Sequence, residues 1–353
     1  MPRRRTTENS ILAKIAGGSP SNQSGKRLRG SFAHGKRLSL GIGDDAALFR
    51  SSRGCETILT CDWFLEGTHF LRRKHPPDSV GWKCLARAVS DIAAMGGAPR
   101  CFLLSLAIPE NATGEWLDKF LRGLRRAAQH FDCALAGGDT TRRKEILINV
   151  TVIGEIAPGR ALRRDGANPG DLLYVSSRLG EAERGLRLLQ PSNRAAERVL
   201  RTNNAQLRRH LYPEPRLALG QWLVKNRIAT SAMDISDGLS SDLPRLCAAS
   251  GVGARVDAAK LPVVTIPSAA CSPRHVSGRK ALASDVLSLA LHGGDDYELL
   301  FTAPKSKELQ IPPAFAGVAI TSIGEITANR KIFLVGTQTQ PTLLESRGWD
   351  PFR

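Results

Sequence analysis

No uncharged apolar run in this 353-residue chain reaches the roughly 20 residues that a helix needs to span a bilayer. Cysteine is sparse and unpatterned. The seven residues, at 55, 61, 84, 101, 133, 247 and 271, are odd in number and never spaced C-x-x-C, which fits reduced thiols of a cytosolic compartment, several of them core residues. The seven histidines are equally dispersed and none makes H-E-x-x-H spacing, so a zinc centre is unsupported. Familiar nucleotide signatures are missing as well. Gly25-Lys26 is followed by Arg27 and lacks the partner glycine of a P-loop, there is no H-R-D catalytic loop, and Gly41-Ile42-Gly43 runs straight into two aspartates rather than into a G-x-G-x-x-G fingerprint. A nucleotide enzyme made from this chain must use another architecture.

Acid is the minority charge: 33 Asp+Glu against 50 Lys+Arg leave a formal charge of +17. Such a balance favours nucleic acid, acidic membranes or anionic small molecules, and does not choose among them. Part of the excess lies in residues 1–37, where Arg3, Arg4, Arg5, Lys14, Lys26, Arg27, Arg29, Lys36 and Arg37 face Glu8 alone, around Gly17-Gly18-Ser19-Pro20-Ser21. This composition predicts a basic flexible tail with at most a short helix around Ile11–Ala16. Lys14 interrupts the apolar stretch a secretory signal would need.

With 42% hydrophobic residues the remainder can fill two ordinary cores. Periodicity predicts a strand over Glu56–Cys61 delivering Asp62 at its end, a helix over Asp78–Met95 stopped by Gly96-Gly97, and a strand over Cys101–Ile108. A helix capped by Thr113 follows, then strands over Cys133–Ala136, ending in Gly137-Gly138-Asp139, and over Ile146–Ile153. This order implies a mixed α/β domain over 38–157. A second α/β domain, 158–353, begins after Pro158-Gly159 and has strands at Asp171–Val175, Ala232–Ile235, Ala254–Val256, Glu298–Thr302 and Val318–Ile323. Its helices fall near Gly180–Leu189, Arg216–Asn226 and Gly238–Ala249, the last containing Pro244.

What the chain does have is aspartate beside glycine or small hydroxyl residues: Gly43-Asp44-Asp45, Asp62, Ser90-Asp91, Gly137-Gly138-Asp139-Thr140, Asp234-Ile235-Ser236-Asp237-Gly238 and Gly293-Gly294-Asp295-Asp296. Each has a plain structural explanation, since Asp caps turns and Gly-Gly-Asp is a common turn. Together they have the composition of a magnesium and phosphate site, because Mg²⁺ takes hard oxygen ligands and small neighbours let backbone N–H groups approach a phosphate. Asp234 and Asp237 stand three apart, which an N-cap explains for one acid but not readily for both.

The segments GIGDDAAL, CDWFLEGTHF, RAVSDIAAMGG, AGGDTT, LRRDGANPGD, DISDGLSSDL and HGGDDYELLFT, in this order, resemble the thiamine-monophosphate kinase family, of the superfamily of aminoimidazole ribonucleotide synthetase and selenophosphate synthetase. The match runs from about Gly41 to Phe352. The resemblance implies a two-domain α/β fold whose N-terminal domains pair their sheets across a homodimer, with ATP in a cleft at that interface. It implies that Asp44, Asp45, Thr60, Cys61, Asp62, Asp91, Asp139, Asp234 and Asp237 hold several Mg²⁺, that Gly138, Asp139, Arg164 and Ser236 contact ATP, and that His69, Asp295 and Trp349 face thiamine monophosphate. The expected setting is cytoplasmic, with no membrane or nucleic-acid partner.

Two positions depart from the family pattern. Cys61 replaces a threonine, harmless if the metal contact is its backbone carbonyl, and Asp295 replaces a glutamate, shortening its reach by one methylene. The reaction implied is in-line attack by a phosphate on the γ-phosphoryl group of ATP. An acceptor whose second pKa is near ~6 is already ionised, so no general base is required. Two alternatives stay open on the sequence: a sister ATP-dependent enzyme acting on another small substrate, and a basic nucleic-acid-binding protein without catalysis.

Overall fold

A computed structural model describes residues 8–16, 38–40, 46–189, 205–264, 285–336 and 340–352. They fall into two compact units, Met1–Ile92 with Gly97–Gly159, and Ala93–Gly96 with Arg160–Arg353. The first contains helix α1 (Glu8–Ala16), a small ribbon of β1 (Leu38–Leu40) and β2 (Leu48–Phe49), β3 (Glu56–Leu65), α2 (Pro77–Ala94), β4 (Ala98–Ala107), α3 (Glu115–His130), β5 (Ala134–Thr141) and β6 (Leu147–Ile156). Its main sheet has the order β3-β6-β4-β5, with β4 and β5 parallel and the other pairs antiparallel.

One face of this sheet is apolar and buried. Ile58 and Phe64 of β3, Phe102, Leu104 and Leu106 of β4, and Ile148, Val150 and Val152 of β6 are all nearly inaccessible, as are Val80, Leu85, Ala88, Val89 and Ile92 along α2. The helices cross at a pair of glycines. A β-carbon on Gly81 would lie 2.0 Å from the Phe120 carbonyl oxygen, and one on Gly123 would lie 1.8 Å from that of Asp78, so only glycine allows this approach. Helix α1 docks on α3: Lys14 pairs with Asp118 at 2.8 Å, Arg125 donates to the Lys14 carbonyl, and Ile15 is buried.

The opposite face is mixed. Near β1 and β2, the side chains of Leu38, Ala47 and Phe49 pack on Cys101, Ala134 and Ala136. Beyond them Leu59, Trp63 and Leu103 are 69%, 55% and 37% exposed.

Three local expectations change. Strand β3 does not end at Asp62 but runs to Leu65, because Trp63, Phe64 and Leu65 continue the ladder against Asn149, Ile148 and Leu147. Gly137, Gly138 and Asp139 lie inside β5, paired with Leu103, Leu104 and Ser105. Gly114, not Thr113, is the N-cap of α3; the Thr113 hydroxyl instead donates to the Glu110 carbonyl at 2.8 Å.

The second unit contains β7 (Leu172–Ser176), α4 (Glu181–Leu189), α5 (Ala205–Leu211), α6 (Leu217–Lys225), β8 (Ser231–Ile235), α7 (Leu239–Ser250), β9 (Gly253–Asp257), a helix over 285–292, β10 (Glu298–Ala303), β11 (Ala314–Phe315), β12 (Val318–Thr327), β13 (Ile332–Val335) and β14 (Thr342–Leu343). The sheet order is β14-β13-β9-β12-β7-β10-β8, antiparallel except between β13 and β9. Alternation assigns each face its own core. Leu173, Val175, Met233, Ile235 and Leu300 pack with Leu239, Leu243 and Leu246 of α7, whereas Tyr174, Ala232, Leu299 and Phe301 pack with Leu219 and Leu223 of α6. A sheet covered on both faces buries its strands along their whole length, and Leu299, Leu300, Phe301 and Ala303 of β10 fill the two cores in turn. Its first residue, Glu298, is neutralised by Arg216, which grips it with two nitrogens, and accepts a further hydrogen bond from the Ser176 hydroxyl at 2.5 Å.

Candidate active site

In the first unit, Thr60 and Asp62 lie two apart on β3 and therefore share the buried face. The Thr60 hydroxyl donates to Asp91, carried by the C-terminal half of α2, and Arg87 on the same helix comes within 3.9 Å of Asp62 while its guanidinium lies over the Phe64 ring. These groups form one oxygen-rich corner at the edge strand. Cys61 points the other way, toward Asn149, whose amide also donates to the Asp62 carbonyl at 3.2 Å. His69 follows in the turn after β3, with Nδ1 accepting the Leu65 N–H at 3.0 Å.

Asp139 is not brought to that corner. Asp62, Val150, Leu104 and Gly138 form one row across the sheet, so the two edge strands are three spacings apart, about 14 Å. The pairing of β4 with β5 shifts between Phe102 and Leu103, where Phe102 faces Leu135 but Leu103 faces Gly137. The extra residue is a β-bulge. It sets Asp139 opposite Ser105 on the exposed face, and Thr140 opposite Leu106 on the covered one. The Thr140 hydroxyl there is buried without a hydrogen-bond partner. Gly138, at φ +152°, admits no side chain, since a β-carbon would fall 1.8 Å from the Leu104 carbonyl oxygen. Past β5 an open cavity of about 750 Å³ is lined by Pro109, Glu110 and Asn111 and by Arg142, Arg143, Lys144 and Glu145. Asp44 and Asp45 lie outside the described residues.

In the second unit the structure does gather residues distant in sequence. After β8 the chain turns through Ser236, Asp237 and Gly238 into α7. Asp295 N–H donates to the Ser236 carbonyl at 2.7 Å, and Trp349 N–H donates to the Asp237 carbonyl at 2.9 Å. Residues 346–349 lie over the first turn of α7, where Ser241 Oγ meets Ser346 Oγ and accepts the Gly348 N–H. Asp234 is buried one residue before the end of β8, opposite Leu299. Arg164 is placed elsewhere: its carbonyl accepts from Ser250 at the far end of α7, a helix of 12 residues and so about 18 Å long, and its side chain is exposed.

Asp242 was not singled out from the sequence, yet it shapes this turn. It is fully buried, accepts the N–H groups of Ser236 and Asp237 at 3.0 Å each, and pairs with Arg245, which also grips Asp237 at 2.6 Å. Burial, then the adjacent Asp237, pushes its carboxyl up to about 6. Its acid-to-Arg245 spacing of three on a helix was the available sequence signal.

The donor set fits a hard cation: a hydroxyl, carboxylates and carbonyl oxygens, with no thiolate directed at them. Among the described residues no three acids, histidines or cysteines are already clustered as a metal site.

Known proteins resemble this chain along most of its length. Family models described as AIR synthase related protein match the chain, the N-terminal domain over residues 43–156 and the C-terminal domain over 168–336. A thiamine-monophosphate kinase of Escherichia coli K12 is 38% identical over 317 residues, 89% of this chain and 92% of that protein. The crystal structure of thiamine-monophosphate kinase from Stenotrophomonas maltophilia K279a superposes with a TM-score of 0.73 at 36% identity, covering 85% of this chain and 92% of that one. A structure described as AaThiL complexed with AMPPCP and TMP gives 0.67 at 32%, covering 86% and 91%. Escherichia coli HypE, at 17% identity and a TM-score of 0.69, shares the fold alone. With both domain models matched and relatives this similar along nearly their whole length, the chain belongs to the thiamine-monophosphate kinase family of AIR synthase related proteins.

Proposed function

We propose that this chain transfers the γ-phosphoryl group of ATP to thiamine monophosphate, giving ADP and thiamine diphosphate. The observation that carries this reading is the convergence of Ser236, Asp237, Asp295 and Trp349, joined by backbone hydrogen bonds at the end of β8. Its support from relatives is the 32%-identical structure complexed with AMPPCP and TMP.

The attacking group is itself a phosphate, ionised at neutral pH, so the residues need to position and neutralise rather than remove a proton. Thr60, Asp62 and Asp91, with Asp44, Asp45 and the Cys61 carbonyl, would hold Mg²⁺ in the first unit; Asp234 and Asp237 would do so in the second. When bound, Mg²⁺ supplies charge neutralisation between mutually repelling phosphates. Gly138 and Asp139 would face the nucleotide on the exposed side of the sheet. In the second unit Ser236 would contact the nucleotide, whereas Arg164, at the far end of α7, is not brought to that turn. His69 and Trp349 face the thiamine moiety, Trp349 offering an aromatic surface, 46% exposed, to the thiazolium cation. Domains are taken as 38–157 and 158–353 after a tail of 1–37.

We further propose a homodimer formed by the exposed sheet face of the first unit. Leu59, Trp63 and Leu103 there form an apolar patch that Asp139 adjoins, so a nucleotide on Gly138-Asp139 would sit beside the dimer contact. The cytoplasmic setting is supported by six free cysteines among the described residues and by the lack, among them, of a helix long and apolar enough to cross a membrane.

The test is ADP release, coupled to detection of thiamine diphosphate, with thiamine monophosphate against an aminoimidazole ribonucleotide precursor as acceptor and with Mg²⁺ titrated. Turnover is expected only with the thiamine substrate and only with the metal; ADP release with the precursor alone would favour the sister enzyme. Asp139→Asn and Asp234→Asn should each abolish turnover while far-ultraviolet circular dichroism stays unchanged. Near-normal rates in both would remove the roles proposed for Asp139 at the nucleotide and for Asp234 at the metal.

A further inference from the structure

Two buried side chains converge on Asp295 from behind. Its Oδ1 accepts the hydroxyl of Tyr297 at 2.7 Å, and its Oδ2 lies 3.8 Å from Nδ1 of His210 on α5. Tyr297 is 2% and His210 1% exposed, whereas the Asp295 side chain keeps 25% of its surface open. The backbone beneath is equally constrained. Asp295 and Tyr297 hold φ values of +68° and +51°, a region that residues with a β-carbon seldom adopt. Neighbouring bonds enforce it: Asp295 and Tyr297 donate to the carbonyls of Ser236 and Ile235, Asp296 accepts the N–H groups of Gly180 and Ala182, and Glu298 is locked to Arg216.

We propose that Tyr297 and His210 are positioning residues that fix the Asp295 carboxylate toward bound thiamine monophosphate. The inference rests on the function proposed above. A carboxylate held at one orientation in the free protein loses little side-chain freedom when substrate arrives, whereas a mobile one loses that freedom on every binding event. Cutting the Tyr297 bond should therefore weaken binding of the thiamine substrate and leave the nucleotide untouched.

Tyr297→Phe keeps the ring and removes the hydroxyl. Relative to wild type, the calorimetric Kd and the KM for thiamine monophosphate should rise about tenfold, about 1.4 kcal/mol, with kcat and the KM for ATP within about twofold. His210→Asn, whose amide can donate near the former Nδ1, should stay near wild type, while His210→Leu should weaken thiamine monophosphate binding as Tyr297→Phe does. An unmoved Kd in Tyr297→Phe and His210→Leu, or parallel losses in ATP affinity and kcat, would overturn the positioning role. Absence of wild-type turnover would bring down the proposed function and this inference with it; turnover with unmoved variants would remove this inference alone.

Discussion

At the residue scale, burial determines which substitutions matter. Arg216 and Glu298 are both under 10% exposed, so Arg216→Met should strand a carboxylate in the core and cost about 3–5 kcal/mol, read as a lowered urea midpoint. Adding Glu298→Leu should recover most of that loss, because the two charges disappear together. The cysteines offer a chemical check. Burial pushes the thiols of Cys101 and Cys247 up to about 11 and about 12, and those of Cys84 and Cys133 well above their ordinary value, so all four should resist a thiol reagent at pH 8 until denaturant is added. Cys61 is exposed within the chain but lies between Leu59 and Trp63 on the face proposed to pair, so it should react once Leu59 and Trp63 are replaced with Glu to give the monomer; equal rates for Cys61 and Cys84 there would contradict the described packing.

At the scale of elements, the outer sheet face and α1 each support a separate prediction. Replacing both Leu59 and Trp63 with Glu should give a monomer by sedimentation or light scattering without unfolding the covered face, since neither side chain enters the core. Deleting the chain through Ala16 removes Ile15 and the Lys14 contacts from α3 and should lower the melting temperature by a few degrees. Most helices and the strands around them were legible because their apolar spacing matches what is buried: Val80 through Ile92 on α2 and Leu117 through Leu124 on α3. Strand ends were not. Thr60 and Asp62 occupy inward positions on β3, and Gly137-Gly138-Asp139 interrupts the apolar run of β5, so polar residues inside a strand read as its end. The aspartate motifs themselves were legible, but their facing was not, because a bulge leaves no mark in composition. The supports of the second-unit site also escaped notice: Asp242 and Tyr297 bond near neighbours through turns whose geometry composition does not show, and His210 meets Asp295 only through the tertiary fold.

At the scale of the whole molecule, the excess of 50 basic over 33 acidic residues surrounds a reaction between two anions. A positive field should draw both substrates in. Raising ionic strength from about 0.05 to about 0.5 M at constant free Mg²⁺ should raise KM for ATP and for thiamine monophosphate while changing kcat little. A salt-independent KM would show that the charge serves something else. The shift in register between Phe102 and Leu103 has its own molecular consequence. Because faces alternate along a strand, pairing Ala136 with Leu103 in a regular ladder, without the bulge, would turn Asp139 inward beside Leu106, beneath the helices, where an unpaired carboxylate costs several kcal/mol. Length and bulge are thus coupled: across descendants of this chain, β5 keeps its acid facing outward by holding both the extra residue and the bulge or by losing both, and a change in one alone turns Asp139 toward the core.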